Sequence, residues 1–413
     1  MIDITAIEAA RERIAGKTVV TPTLWVPELS HRTGFEVYVK FETMQLTGSF
    51  KLRGAFNKLL TLGDEAREHG VIAASAGNHA QGVAYAAGQL GVPATIVMPE
   101  TTPLVKVDRT EALGARAVLA GETFDDAYDR ARQLEKEQGA LFVHPFDDDD
   151  VIAGQGTAGL ELLDTVPDLE AVIVPIGGGG LISGVASALR AKRPDMRIYG
   201  VQSERAPAMK RSFDAGQVVP SEGTIYSIAD GLAVKRPATR TLDIIKQTVD
   251  DIILVSETAI EAAVVDILDI TKTLTEGAGA AGVAALANDR LRHELHGKKV
   301  GVVLCGGNID LNRLALLIDR ALVQRQRLVR LRATVDDRPG SLAGLLSLIA
   351  QQGGNVVGLV HDRVFAAAPF GQAGVVVTLE VRNRAHIESV ISSLRAADIA
   401  VHELNPAQVP LGA

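Results

Sequence analysis

Four short stretches bring chemically useful side chains together with unusually open backbone. The first is GSFKLRGAFNKL at 48–59, where Lys51 follows a Ser/Gly approach and Phe50. Leu52, Ala55, Phe56 and Leu59 then fall on one side of a helix, so Lys51 sits at the helix entrance, where its amine can enter a cleft. A lysine used as a Schiff-base nucleophile needs such partial burial, because desolvation lowers its pKa. The second is SAGNHAQG at 75–82, directly after the apolar run VIAA. Small residues leading into a helix leave backbone N–H groups free for an anion, and Ser75, Asn78, His79 and Gln81 supply more polar side chains than a simple cap needs. A substrate carboxylate suits this loop. The third is the run Gly177, Gly178, Gly179, Gly180 between AVIVPI and LISGVASAL. A strand and a helix abut it, which argues against a linker; consecutive N–H groups unobstructed by Cβ atoms form a nest for one phosphate. The G-x-G-x-x-G pattern of a dinucleotide site fails, since its third glycine falls on Ile182 or Ser183. The fourth is VLCGGNIDL at 303–311, in which Cys305 ends a buried run and two glycines keep the backbone open. Most such cysteines are inert core; this one can face a cleft at the carboxyl ends of the strands.

These stretches must be positioned by something, and the intervening pattern says what. VIAAS (71–75), ATIVMP (94–99), AVIVPI (171–176), RIYGVQ (197–202), DIILVS (251–256) and KVGVVLCGG (299–307) alternate with amphipathic segments, one of which begins near His79. Strands buried on both faces and separated by helices imply an α/β fold with parallel sheet. Near 320 the order changes: DRALVQRQRLVRL reads as a helix end and a connector. Beyond it, LVRLRATV, PGSLAGLLSLIAQQGG, NVVGLVHDRV, GVVVTLEV, HIESVISSLRAAD and AVHEL give a βαββαβ order, the ferredoxin-like arrangement. The expected division is 1–320, a connector at 321–326, and a small domain at 327–405.

Composition narrows the function. The chain has 413 residues, 47% hydrophobic and 22% charged, which is globular rather than disordered. A net charge of −8 disfavours nucleic acid. The single cysteine precludes an internal disulfide, no Cys/His spacing suits a metal, and HELH at 293–296 lacks the i, i+4 histidine pair of a zinc helix. The N-terminal MIDITAIEAARERIAG is charged and amphipathic, and no apolar run reaches membrane-spanning length, so a cytoplasmic protein without a membrane partner is expected. FDDDD at 146–150 reads as a solvated loop, and Trp25 and the N-terminal helix as packing.

In this order, GSFKLRGA, SAGNHAQG, GGGGLISG and CGGNIDL resemble the pyridoxal-phosphate enzymes of the tryptophan-synthase-β class, and within it the threonine dehydratases (threonine ammonia-lyases). DDRPGSLAGLLSLI resembles the start of an ACT domain, an amino-acid-sensing module. The resemblance implies a two-lobed catalytic domain, its smaller lobe at about 42–148 inserted in the larger, followed by one ACT domain. It implies that Lys51 holds pyridoxal 5'-phosphate covalently and later serves as base at the substrate Cα, with Phe50 against the pyridine ring. Asn78 would bond the ring's 3-oxygen, and Ser75, Ala76, Gly77, Asn78 and His79 would receive the substrate carboxylate. Gly177 to Gly180 would hold the phosphate, and Cys305 would face the ring nitrogen as a neutral partner. The departing hydroxide needs a proton, for which the cofactor phosphate, with a second pKa near neutrality, is suited.

The implied reaction converts threonine, and also serine, to an oxoacid and ammonia, 2-oxobutanoate in the case of threonine. A serine-preferring dehydratase is the nearest alternative. Serine racemase, a relative, needs a second acid/base where this chain has Ala76, and its divalent-cation site meets Gln202 and Ala208 here, although Glu204 lies nearby. A non-catalytic amino-acid sensor would have lost Lys51 and its companions. For the ACT domain the implied effector is isoleucine or valine, held around Asp336, Asp337, Pro339, Gly340 and Ser341; a dimerisation element without ligand is the alternative. A homodimer or homotetramer is implied as well.

Overall fold

The computed structural model describes residues 1–223, 225–364 and 368–404. It divides into two compact units, 1–310 and 311 onward. In chain order the strands are β1 (Thr23–Trp25), β2 (Glu36–Phe41), β3 (Val71–Ala74), β4 (Ala94–Met98), β5 (Arg116–Leu119), β6 (Leu141–Phe142), β7 (Ala171–Pro175), β8 (Arg197–Ser203), β9 (Asp251–Val255) and β10 (Lys299–Leu304) in the first unit. The second contains β11 (Leu328–Asp336), β12 (Asn355–Asp362), β13 (Gln372–Glu380) and β14 (Ala400–Glu403).

The first unit has two lobes, each built on its own sheet. The larger sheet has the order β1-β2-β10-β7-β8-β9, parallel throughout except for β1 against β2. The smaller, all parallel, is β5-β4-β3-β6, and in sequence it lies between β2 and β7. Central strands such as β3 and β7 are buried along their whole length, as expected of sheets covered by helices on both faces. The carboxyl ends of β3, β7 and β10 lead directly into the three loops singled out by residue type.

The helix Lys51–Leu62 turns Leu52, Ala55, Phe56 and Leu59 into a core shared with Val71, Ala73, Ala80 and Val83 of the smaller lobe. On its other side it carries a side chain that no apolar core would accept alone. Arg53, fully buried, donates to both oxygens of Glu42 at 2.8 Å and to Glu161 at 2.6 and 2.7 Å. Lys40 donates to Glu161 at 2.5 Å and to the Thr21 carbonyl at 2.7 Å. Two cations and two carboxylates thus balance inside the protein, joining β2, the helix Lys51–Leu62 and the helix Asp149–Thr165.

The second unit is ferredoxin-like, with all strand pairs antiparallel in the order β12-β13-β11-β14. Val329, Leu331, Ala333 and Val335 alternate inward from β11 onto Leu345, Ile349, Val390 and Leu394 of two helices. This unit opens with the helix Leu311–Gln324, which runs through part of the expected connector at 321–326 and packs near β11. The expected boundary at Asn405 lies outside the described residues.

Two expectations need correction. FDDDD is not a solvated loop: Asp148 caps the helix Asp149–Thr165 by accepting from the N–H of Asp150 and Val151, and Lys58 pairs with Asp148 and Asp150. Carboxylates gather there because a helix N-terminus favours negative charge. Trp25 is 54% exposed, since it lies on the edge strand β1; the N-terminal helix does pack, burying Ile7, Ala10 and Ile14.

Removing one member of a buried ion cluster strands the rest. Arg53→Met should lower unfolding stability by about 3–5 kcal/mol, measured by denaturant unfolding with near-UV dichroism. Arg11→Ala, which deletes a surface pair to Asp164, should leave the midpoint unchanged.

Candidate active site

The lysine loop and the cysteine loop are tied to each other by backbone. Ser49 and Gly306 form an antiparallel bridge, Phe50 N–H donates to the Cys305 carbonyl at 3.1 Å, and Gly307 N–H to Gly48 at 2.9 Å. Such an approach leaves no room for side chains: a Cβ on Gly306 would lie 2.5 Å from Glu276 Oε1, and one on Gly307 2.8 Å from the Leu274 carbonyl. The open backbone after Cys305 therefore has a steric cause.

Lys51 begins its helix, and its ammonium donates to the Pro145 carbonyl at 2.8 Å while lying 5.1 Å from the Phe50 ring centre. Burial lowers its pKa to about 8, against the opposing pull of Cys305 and Glu276. The same burial keeps both nearby histidines neutral, His79 at about 3 and His144 at about 4, each pushed further by the positive charge of Lys51. Cys305 is buried at the end of β10, and desolvation raises its pKa, so it stays a thiol.

The loop after β3 leaves several backbone donors open. Among the described residues no hydrogen bond engages the N–H groups of Ala76, Asn78 or His79, and the helix begins at Asn78. Gly77 N–H is taken by Ser75 Oγ at 3.2 Å. The buried His79 ring is bonded through Nε2 to the Val143 carbonyl at 2.9 Å, so it anchors the loop.

The glycine run opens the helix Gly180–Lys192. None of the N–H groups of Gly177, Gly178, Gly179 or Gly180 has a partner among the described residues. The carbonyl of Gly178 accepts from Thr241 Oγ1 at 2.8 Å, and Gly179 has φ +94°, a conformation in which Cβ is strained. A Cβ on Gly178 would overlap the Phe146 ring. Four unpaired donors at a helix start, held rigid from both sides, fit a phosphate. With an amine of lowered pKa in the same unit, the chain has the two anchors that pyridoxal phosphate requires.

Residue-type reasoning missed three participants. Glu276 accepts from Asn78 Nδ2 at 2.6 Å, and its carboxyl is raised to about 7, chiefly by desolvation. Asn308 donates to Asn78 Oδ1 and to the Thr47 carbonyl, both at 2.8 Å. Phe146 closes over the glycine loop. The available signal for Glu276 was an acid before the glycine/alanine run GAGAAG, which opens a helix. Gln202, at an expected cation position, instead has its amide satisfied by the Ile176 carbonyl and the Lys210 N–H. Among the described residues no cluster of three or more acidic, histidine or cysteine side chains could hold a metal ion. The expected effector residues lie in the second unit: Asp337 pairs with Arg363 at 2.9 Å, and Pro339 and Gly340 precede the helix Ser341–Gln351, with Gly340 at φ +95°. Asp336 ends β11 and Ser341 opens that helix.

An inserted parallel-sheet lobe, a buried lysine and a glycine-rich phosphate nest define a pyridoxal-phosphate enzyme of the two-lobed class. The chain belongs to the family described as pyridoxal-phosphate dependent enzyme, whose model matches residues 14–306, and an ACT-domain model matches 324–399. It is 45% identical over 390 residues to an L-threonine ammonia-lyase of Thermotoga maritima, covering 94% of this chain and 96% of that protein. Among solved structures it resembles a processed threonine deaminase isoform of Solanum lycopersicum (TM-score 0.73, 37% identity, 78% of this chain and 87% of that one). It also resembles maize serine racemase (TM-score 0.73, 35% identity, 79% and 99%).

The lowered pKa of Lys51 has a sign that can be checked. Below pH 8 the amine is an ammonium and unreactive; above it the free amine predominates. In apoenzyme, the rate of single-lysine modification at Lys51, followed by peptide mapping across pH 6–11, should rise with a midpoint of about 8. A midpoint at the ordinary lysine value would show that the amine is solvated.

Proposed function

We propose that this chain is a threonine ammonia-lyase that converts L-threonine to 2-oxobutanoate and ammonia, acts also on L-serine, and is regulated by an amino acid through its ACT domain. The observation that carries this reading is the buried Lys51 amine in one unit with the unpaired N–H groups of the glycine run, in a chain similar to L-threonine ammonia-lyase over nearly its full length. When bound, pyridoxal phosphate supplies the electron sink that makes the substrate Cα–H acidic. The protein supplies the rest. The open N–H groups of Ala76, Asn78 and His79 would orient the substrate carboxylate, Asn78 would bond the ring's 3-oxygen, and Cys305 would offer an uncharged thiol to the ring nitrogen. Lys51, neutral in part near physiological pH, takes the Cα proton. Pro145 and Phe50 hold that amine within the cleft, and Phe146 shields the nest from water.

The serine racemase likeness gives a second reading, and Ala76 weighs against it. Racemisation needs a second proton-transfer group, and an alanine side chain has none. Preference between threonine and serine rests on one methyl group, worth roughly 10–200-fold in a pocket. The purified protein should absorb in the visible range and lose that absorbance on borohydride treatment, with the label on Lys51. Lys51→Ala should abolish both absorbance and oxoacid formation. The ratio of kcat/KM should favour threonine, with no D-serine formed from L-serine; a serine-favouring ratio would make it a serine dehydratase instead.

The effector is proposed to be isoleucine or valine, bound around Asp336–Ser341, the assembly a homodimer or homotetramer, and the setting cytoplasmic, within isoleucine biosynthesis. No helix among the described residues is long and apolar enough to cross a membrane. A buried thiol without a disulfide partner suits a reducing compartment. Regulation requires that the effector bind one state better than another. Deleting residues 327–413 should leave dehydratase activity and abolish inhibition by isoleucine or valine; inhibition that persists would place the sensor elsewhere.

A further inference from the structure

Asn78 is held from both sides. Its Oδ1 accepts from Asn308, whose other N–H is committed to the Thr47 carbonyl, and its Nδ2 gives one hydrogen to Glu276. This chain of three residues fixes which way the amide faces and leaves a single Nδ2 hydrogen free. The Glu276 carboxyl lies against the Gly306 backbone, in a space that a Cβ there would fill, which only glycine leaves open to it. An ionised Glu276 and an anionic oxygen on the free hydrogen would then draw on the same amide nitrogen. A carboxylate at one N–H makes the other a weaker donor, and two negative charges this close repel.

We propose that Glu276 is a positioning residue that acts through Asn78, fixing the amide's orientation and taking up a proton from solvent when the cofactor's ring oxygen arrives at the free N–H. The inference rests on the proposed assignment of Asn78 to the 3-oxygen. It deepens that assignment by giving the site a proton-coupled partner. The step is a simple one: the carboxylate gains one proton from buffer, and no bond in the cofactor changes on its account. The charged and titratable groups acting on Glu276 are Lys51 at the start of its helix, Lys106 in the helix Leu104–Ala112, Asp230 in the turn Asp230–Leu232 and Cys305 after β10. The two lysines favour the carboxylate and Asp230 favours the acid, while burial favours the acid most, which leaves the group about half ionised near pH 7.

The experiment is calorimetric titration of pyridoxal phosphate into full-length apoenzyme at pH 7, in two buffers of different ionisation enthalpy, which counts protons taken up on binding. Wild type should take up more than Glu276→Gln by up to about half a proton, the fraction ionised beforehand. Glutamine keeps the acceptor for Asn78, so its affinity for the cofactor should remain within about threefold of wild type. Asn78→Ala, which removes the coupling amide, should lose the same excess uptake. Equal uptake by wild type and Glu276→Gln overturns the proposal, as does full wild-type uptake in Asn78→Ala. Failure of wild type to bind the cofactor at all would instead overturn the assignment of the site itself.

Discussion

The catalytic unit is organised around the salt-bridged guanidinium of Arg53. Burying charge is costly unless each ion is paired and hydrogen-bonded, and here Glu42, Glu161, Lys40 and the hydroxyl of Thr157 complete the set. Because the cluster tolerates no slippage, it fixes the helix Lys51–Leu62 against β2 and against the helix Asp149–Thr165. Residues two apart on a helix point about 200° from each other. A helix clamped at Arg53 therefore carries Lys51 on its other side, toward the cleft where it meets Pro145. An apolar contact of the same area would hold the helix as firmly but would specify its rotation less sharply.

Desolvation, expensive in that cluster, has a different use a few residues away. Lys51, His79, His144, Glu276 and Cys305 all lie where water is scarce, and in each the charged form is disfavoured. The two imidazoles and the thiol are consequently uncharged at any physiological pH. Only Lys51 and Glu276 stand close enough to neutrality to exchange protons. The fixed positive potential of the site therefore comes from the Lys51 ammonium and from the open N–H groups at two helix starts, which together suit an anionic cofactor. That differs from sites in which a carboxylate is placed to hold the ring nitrogen protonated.

Most of what depended on local composition was legible, and what depended on distant pairing was not. Lys51, Asn78, the glycine run and Cys305 could be singled out because each sits at a strand-to-helix junction whose composition is abnormal for a plain turn. The alternation of apolar runs with amphipathic ones likewise implied parallel sheet, its division into two lobes came only with the family resemblance, and the change of order past residue 320 implied the ferredoxin-like unit. Glu276 escaped notice because its partner Asn78 is 198 residues away, and Asn308 is 230 residues from the same side chain. Arg53 was quoted only as part of a motif, since nothing near it in sequence announces Glu161, 108 residues on. The aspartates at 147–150 were misread because a run of like charges normally seeks solvent; here a helix N-terminus and Lys58 absorb it. Trp25 misled in the opposite direction, as a large apolar residue on an edge strand.

The spacing between the amine and the phosphate nest has its own physical origin. Lys51 and Gly180 each begin a helix, and both helices rest on a third, Asp149–Thr165. Gly154 of that helix lies against Gly54, where a Cβ would come within 2.7 Å of the Gly54 Cα. About half a turn further along, Gly156 faces the Gly184 carbonyl at 2.9 Å, and Gly159, nearly a turn beyond it, faces the Val185 carbonyl at 3.0 Å, again measured from a Cβ that is not there. Backbone thus meets backbone on both sides of this helix. Contacts of this kind have almost no compliance, because close-packed main chain can neither change rotamer nor yield volume. The central helix therefore acts as a ruler, setting the distance from the reactive amine to the four glycine N–H groups. A methyl group at Gly154 would push out the lysine helix, and one at Gly156 would push out the glycine-run helix, so either would alter that distance while leaving every side chain of the site intact.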